Sequence, residues 1–157
     1  MARITEIFLI ETPPQDAVVV RSTVSGTDIP AFIMNSLTML EEYARYHSVN
    51  PADAPFLHIA GSSPETAVIT AGLPLPSPLP SSGAIKGIVI EGGRKLFSYY
   101  QGKGEQADAV YAEMEKFAEK GGMKVKNGLY EYYLNGPEHG EDKLLTKIVV
   151  LLETPAG

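Results

Sequence analysis

Prolines at every second position, Pro74, Pro76, Pro78 and Pro80, stand near the middle of this chain and restrict its fold more than any other feature. A residue with fixed φ and no amide hydrogen cannot recur at that spacing inside a helix or a central strand. Residues 72–83 are therefore read as a stiff, extended linker. The uncharged run from Thr66 to Ile85 approaches membrane-spanning length, but the same prolines would break any helix there, so no membrane association is expected.

The sequence on either side of the linker is alike. Before it come Ile7 to Glu11, a Pro13-Pro14 turn, Ala17 to Arg21, a helix pattern, Phe56 to Ile59 and Thr66 to Thr70. After it come Ile88 to Glu91, a Gly92-Gly93 turn, Leu96 to Tyr100, a second helix pattern, Tyr130 to Leu134 and Lys147 to Leu151. Each half reads strand, strand, helix, strand, strand. The first helix is expected to start at Thr27 or Asp28 as a cap, with Pro30 in its first turn, and to run to about His47. The second, roughly Glu105 to Lys120, puts Ala107, Val110, Tyr111, Met114, Phe117 and Ala118 on one stripe and closes at Gly121-Gly122. These patterns predict a single α+β domain, a pseudo-two-fold tandem repeat with halves at about 1–71 and 84–157. Hairpins build a curved antiparallel sheet that carries two helices with a groove between them, a natural place for a ligand.

Composition removes several alternatives. A chain of 157 residues with 44% hydrophobic content can bury a core. Its charge of −6 and pI of about 5.0, with no basic stripe, argue against direct nucleic-acid binding. The absence of cysteine excludes disulfides, thiolate zinc sites and thiol nucleophiles, and fits a reducing cytoplasm. Glu6 and Glu11 interrupt the apolar N-terminus, so no secretory pattern is present and the expected compartment is the cytoplasm. His47, His58 and His139 lack metal-ligand spacing, so no metal is expected. Gly102-Lys-Gly-Glu-Gln-Ala107 matches a dinucleotide fingerprint, but hairpins dominate where such a fold needs parallel βαβ units. No cofactor is expected.

One residue stands out against this background. Glu131 lies between tyrosines in Tyr130-Glu131-Tyr132-Tyr133, inside a stretch that otherwise reads as a buried strand. A carboxylate there requires solvent, a polar partner or a cationic ligand. Alternation puts Tyr133 on its face and turns Tyr130 and Tyr132 away.

The run LYEYYLNGPEHGEDKLLTKIVVLLE, Leu129 to Glu153, resembles the closing segment of the GyrI-like small-molecule-binding family, related to effector domains of multidrug-responsive transcription regulators. Glu131, Tyr133, Leu134 and Asn135 match its aromatic-Glu-x-Tyr-Leu-Asn pattern, and the order of elements matches more loosely over the whole chain. The resemblance implies a groove lined by aromatic and apolar side chains, with Glu131 at its base as counter-charge for bulky hydrophobic cations. The matching place in the first half, Phe56 to Gly61, lacks the acidic tyrosine-rich character. No helix-turn-helix precedes residue 1, so a free-standing binding protein, acting in sequestration or sensing, is expected.

The candidate ligand residues are Glu131 and Tyr133, then Tyr99, Phe32, Met39, Tyr43, Tyr111, Phe56 and His58. Whether Tyr99 or Tyr100 faces the groove depends on a register left open. On the first helix Ile33, Leu37, Leu40 and Ala44 form one stripe, assigned to the core. The adjacent stripe of Phe32, Ser36, Met39 and Tyr43 either lines the groove or widens the packed face. Two other functions stay open. The resemblance implies that Glu131 and a tyrosine could hydrolyse strained cyclopropane-containing electrophiles, with Tyr133 or Tyr99 orienting the electrophile; the acidic surface could instead engage a DNA-acting enzyme as a modulator.

Overall fold

Alternating apolar residues and two amphipathic stripes fold into eight strands and two helices in the computed structural model, which describes residues 5–60, 66–102, 107–126, 128–136, 138 and 140–154. In chain order these are β1 (Phe8–Thr12), β2 (Gln15–Ser25), α1 (Ile29–Tyr46), β3 (Phe56–Ala60), β4 (Thr66–Pro74), β5 (Lys86–Ile90), β6 (Gly93–Gln101), α2 (Ala107–Lys120), β7 (Leu129–Tyr133) and β8 (Leu145–Leu151). The class is α+β with antiparallel pairing, as the sequence predicts. Among the described residues no helix is long and apolar enough to cross a membrane.

The chain forms two compact units, residues 14–91 and residues 1–13 with 92–157. In the first the strand order is β3-β4-β2-β5; in the second it is β1-β6-β8-β7. Both repeat one order, strand, helix, strand, strand, and each gains an edge strand, β5 in the first and β1 in the second. β1 pairs with β6, placing Phe8 opposite Phe97, and β5 pairs with β2, placing Ile88 opposite Ala17. The expected hairpins β1–β2 and β5–β6 therefore do not form. At the first turn the reason is plain: Pro13 and Pro14 have fixed φ and no amide hydrogens, so they cannot close a paired hairpin.

In the unit of residues 14–91, Leu40 and Ala44 of α1 bury against Val18, Val20, Leu73 and Leu75. Full burial of a side chain such as Leu40 contributes roughly 1.5–3 kcal/mol. Of the adjacent stripe, Ser36 is buried, whereas Met39 is 41% exposed. The helix has no side-chain cap, contrary to expectation. A 3-10 turn over Gly26–Asp28 precedes it, and the Asp28 carboxylate is taken by the Ser25 hydroxyl at 2.8 Å. The proline-rich stretch joins β4 to β5 inside this unit and packs onto it. Leu75 is buried, Leu79 meets the same core, and the Tyr43 hydroxyl donates to the Pro80 carbonyl.

In the other unit Val110, Met114 and Ala118 of α2 pack on Leu96, Tyr100, Ile148 and Val150. Phe117, expected on the buried stripe, is 41% exposed. The predicted start of α2 at Glu105, like residues 103–106 of the glycine pattern, lies outside the described residues. Its end is a Schellman closure: Gly122 has φ 70°, its amide bonds Glu119, and the Met123 amide bonds Ala118 at 2.8 Å. The end of α1 repeats this geometry, with Ser48 at φ 56° bonding Arg45 and the Val49 amide bonding Ala44 at 2.9 Å.

Candidate functional site

Glu131 sits at the centre of β7, and alternation turns it to the face that packs on α2. Register carries that face across three strands. Glu131 lies opposite Ile148, which lies opposite Ser98; one step along, Tyr133 lies opposite Thr146, which lies opposite Tyr100. Ile148, Ser98, Thr146 and Tyr100 are all buried, and Glu131 keeps only 6% of its surface.

Two phenols approach the carboxylate. The Tyr100 hydroxyl donates to Glu131 Oε1 and the Tyr133 hydroxyl to Oε2, each at 3.4 Å. Both contacts are longer than an ordinary O–H···O bond of about 2.7–2.8 Å, so they replace only part of the hydration that burial removes. Among the described residues no cation pairs with Glu131. Burial therefore holds its carboxyl above the ordinary carboxylate range; the two tyrosine hydrogen bonds pull the other way, and Asp108, in the first turn of α2, adds to the rise.

The phenols shift in the same direction. Burial, then the charge of Glu131, pushes Tyr100 up to about 12, against a smaller opposing hydrogen bond from Thr146. The same two causes raise Tyr133 further. Both hydroxyls therefore keep their protons near neutrality and point them at the carboxylate. Thr146, Tyr100 and Glu131 form a hydrogen-bonded chain that ends on an acceptor without a counter-ion among the described residues. Such a group can neutralise a ligand cation, or accept a proton from a bound water.

The other candidates are placed variously. Tyr111 is half-buried on the α2 core, raised by burial and by Glu115. Tyr100, rather than Tyr99, shares the face of Glu131; Tyr99 lies on the opposite face, edge-on to Phe97 at 5.9 Å. Phe32, Met39, Tyr43, Phe56 and His58 belong to the unit of residues 14–91. There Phe32 and Tyr43 lean on the α1 core, and Phe56 is fully buried with its ring over Gly72, where a Cβ would come within 2.1 Å. His58 is half-buried and held below its ordinary value by burial and then by Arg21. A cavity of about 660 Å³ in this unit, lined by Glu41, Arg45 and Asp53 among others, includes none of the candidate residues. His139 lies outside the described residues.

Sequence reasoning missed Thr146 and Asp108 and left Tyr100 open against Tyr99. Thr146 carried a usable signal, a hydroxyl in phase with Ile148 and Val150 in an otherwise apolar strand. Asp108 carried none beyond its helix position.

No protein-family model matches the chain, and no curated protein sequence does. Solved structures do. The C-terminal domain of EcmrR matches with a TM-score of 0.77 at 15% identity, over 97% of this chain and 99% of that domain. In the EcmrR–DNA complex the TM-score is 0.81 at 15% identity over 96% of this chain, which spans 58% of the EcmrR chain. A hydrolase from Listeria innocua matches at 0.70 and 14% identity over 94% of this chain and 92% of its own. SAV2435, solved bound to tetraphenylphosphonium, matches at 0.60 and 12% identity over 95% and 94% of the two chains. At these identities the likeness is one of fold.

Proposed function

We propose that this chain, whose fold is that of the GyrI-like effector-binding domains, binds bulky aromatic cations with Glu131 as their counter-charge. The observation that carries this reading is a buried carboxylate with two phenol donors and, among the described residues, no cation of its own. Burying an uncompensated charge is costly, and a delocalised cation removes that cost while its rings stack on tyrosine faces. A small, strongly hydrated cation would lose more hydration than the site returns, so soft, charge-spread ligands are favoured. The fold it shares with SAV2435, a protein solved with such a cation, supports the same class of ligand. Sequestration or sensing would follow from binding of this kind.

Titration with rhodamine 6G tests the reading. Glu131→Gln should weaken binding by about 2 kcal/mol, roughly 30-fold, with little change for a neutral aromatic ligand. Equal affinity of both proteins for the dye would refute the charge pairing.

A second reading rests on the same atoms. A carboxyl whose pKa is raised by burial is suited to accept a proton from water, while Tyr100 or Tyr133 orients an electrophile. The fold is shared with Listeria innocua proteins described as hydrolases. Conversion of a strained cyclopropane electrophile over many equivalents, lost in Glu131→Gln, would favour catalysis; recovery of the compound intact would leave binding as the function.

A further inference from the structure

The opposite face of the same sheet has the reverse chemistry. Alternation gives this face the even-numbered residues of β1 and β7 and the odd-numbered residues of β6 and β8. From those positions come five aromatic rings, two lysines and no carboxylate, in a chain whose net charge is −6.

The rings form two rows with β8 between them. On one side Phe8 stacks on Phe97 with centroids 5.2 Å apart, and Phe97 meets Tyr99 edge-on. On the other, Tyr130 and Tyr132 lie 6.4 Å apart at 22°. Lys147 rises from β8 between the rows, its Nζ 5.0 Å from the Phe97 centroid and 5.7 Å from that of Tyr132. Among the described residues no carboxylate pairs with Lys147. Phe97, Tyr99, Lys147, Tyr130 and Tyr132 are each half-buried, so each keeps part of its surface exposed.

Ring faces hold the ammonium in place but leave its charge uncancelled. An anion arriving at Nζ gains a charge-assisted hydrogen bond, and an attached aromatic ring gains stacking against the flanking rows. A carboxylate-free, cation-bearing patch on an acidic surface also selects by sign, since anions are repelled elsewhere. We infer that this face, turned away from Glu131, is a second site that binds small aromatic molecules carrying one anionic group, a carboxylate or sulfonate, with Lys147 as the charge partner and Phe97 and Tyr132 as stacking walls.

The test compares 1-anilinonaphthalene-8-sulfonate with N-phenyl-1-naphthylamine, the same ring system without the sulfonate, by fluorescence titration. Wild type is expected to prefer the sulfonate, Lys147→Met to bind it about tenfold more weakly while the neutral amine changes by less than about twofold, and Lys147→Arg to keep the preference. Glu131→Gln should leave sulfonate binding unchanged, which separates this site from the cation site. Thermal unfolding of each variant checks that the fold is intact. Lack of preference in wild type, or a preference that survives Lys147→Met, overturns the inference.

Discussion

Glu131 is ionisable, buried and held by two long hydrogen bonds, so its protonation bears on both stability and binding. Below the ordinary carboxylate value of about 4.3 the group is protonated whether the chain is folded or not. Between that value and its raised native value the unfolded chain releases a proton that the folded chain keeps, so stability falls as pH rises. Above the native value the loss is complete and constant. Glu131→Gln escapes this loss: its advantage over wild type in urea unfolding should be smallest near pH 4 and grow toward neutrality. A pH-independent difference would contradict the assignment. The tyrosines oppose the shift, so Tyr133→Phe should raise the Glu131 pKa further. Dye-cation binding should weaken about three- to tenfold at pH values where the variant keeps its proton and wild type does not, given that hydrogen bonds to charged groups are worth about 1.5–3 kcal/mol at good geometry and these are long. The deficit should shrink as pH rises and both proteins become ionised.

At the scale of elements, the two helix ends share one closure but not one residue type. Gly122 tolerates its left-handed φ without cost, whereas Ser48 carries a Cβ into the same region. Ser48→Gly should stabilise the protein by about 1 kcal/mol, read from the urea midpoint at unchanged slope; destabilisation would show that the Ser48 side chain has another role. Much at this level was legible in the chain. Periodicity gave both helices and the buried positions Leu40, Ala44, Val110 and Met114, and period two separated Glu131 and Tyr133 from Tyr130 and Tyr132. The cap of α1 was not legible, because Asp28 prefers the Ser25 hydroxyl in the preceding 3-10 turn. Phe117 fits the apolar stripe of α2 yet lies at its margin, where a one-dimensional pattern does not tell half-covered from buried. The choice between Tyr99 and Tyr100 was set by pairing with β8, whose residues lie more than forty positions away in sequence.

For the molecule as a whole, what sequence could not reveal was which strands are partners. Neighbouring strands usually pair, and both halves present two strands around a short turn; here the leading strand of each half joins the other half's sheet. Residues 14–91 form one unit without interruption, while the other needs two separate stretches of chain. Deleting residues 1–13 should therefore remove a strand from the unit that holds Glu131, strip Phe8 from Phe97 and leave β6 as an unprotected edge. The shortened protein is expected to lose thermal stability and self-associate in sedimentation; an unchanged monomer would mean that β1 contributes little. The same pairing has a consequence during synthesis. β1 leaves the ribosome before the other strands described, yet its partner has not been translated when residues 14–91 emerge and can fold. At roughly 5–20 residues per second, Phe8 to Thr12 wait several seconds or more as an unmatched apolar strand, and for that interval a nascent chain depends on whatever shields such a strand until Gly93 to Gln101 arrive.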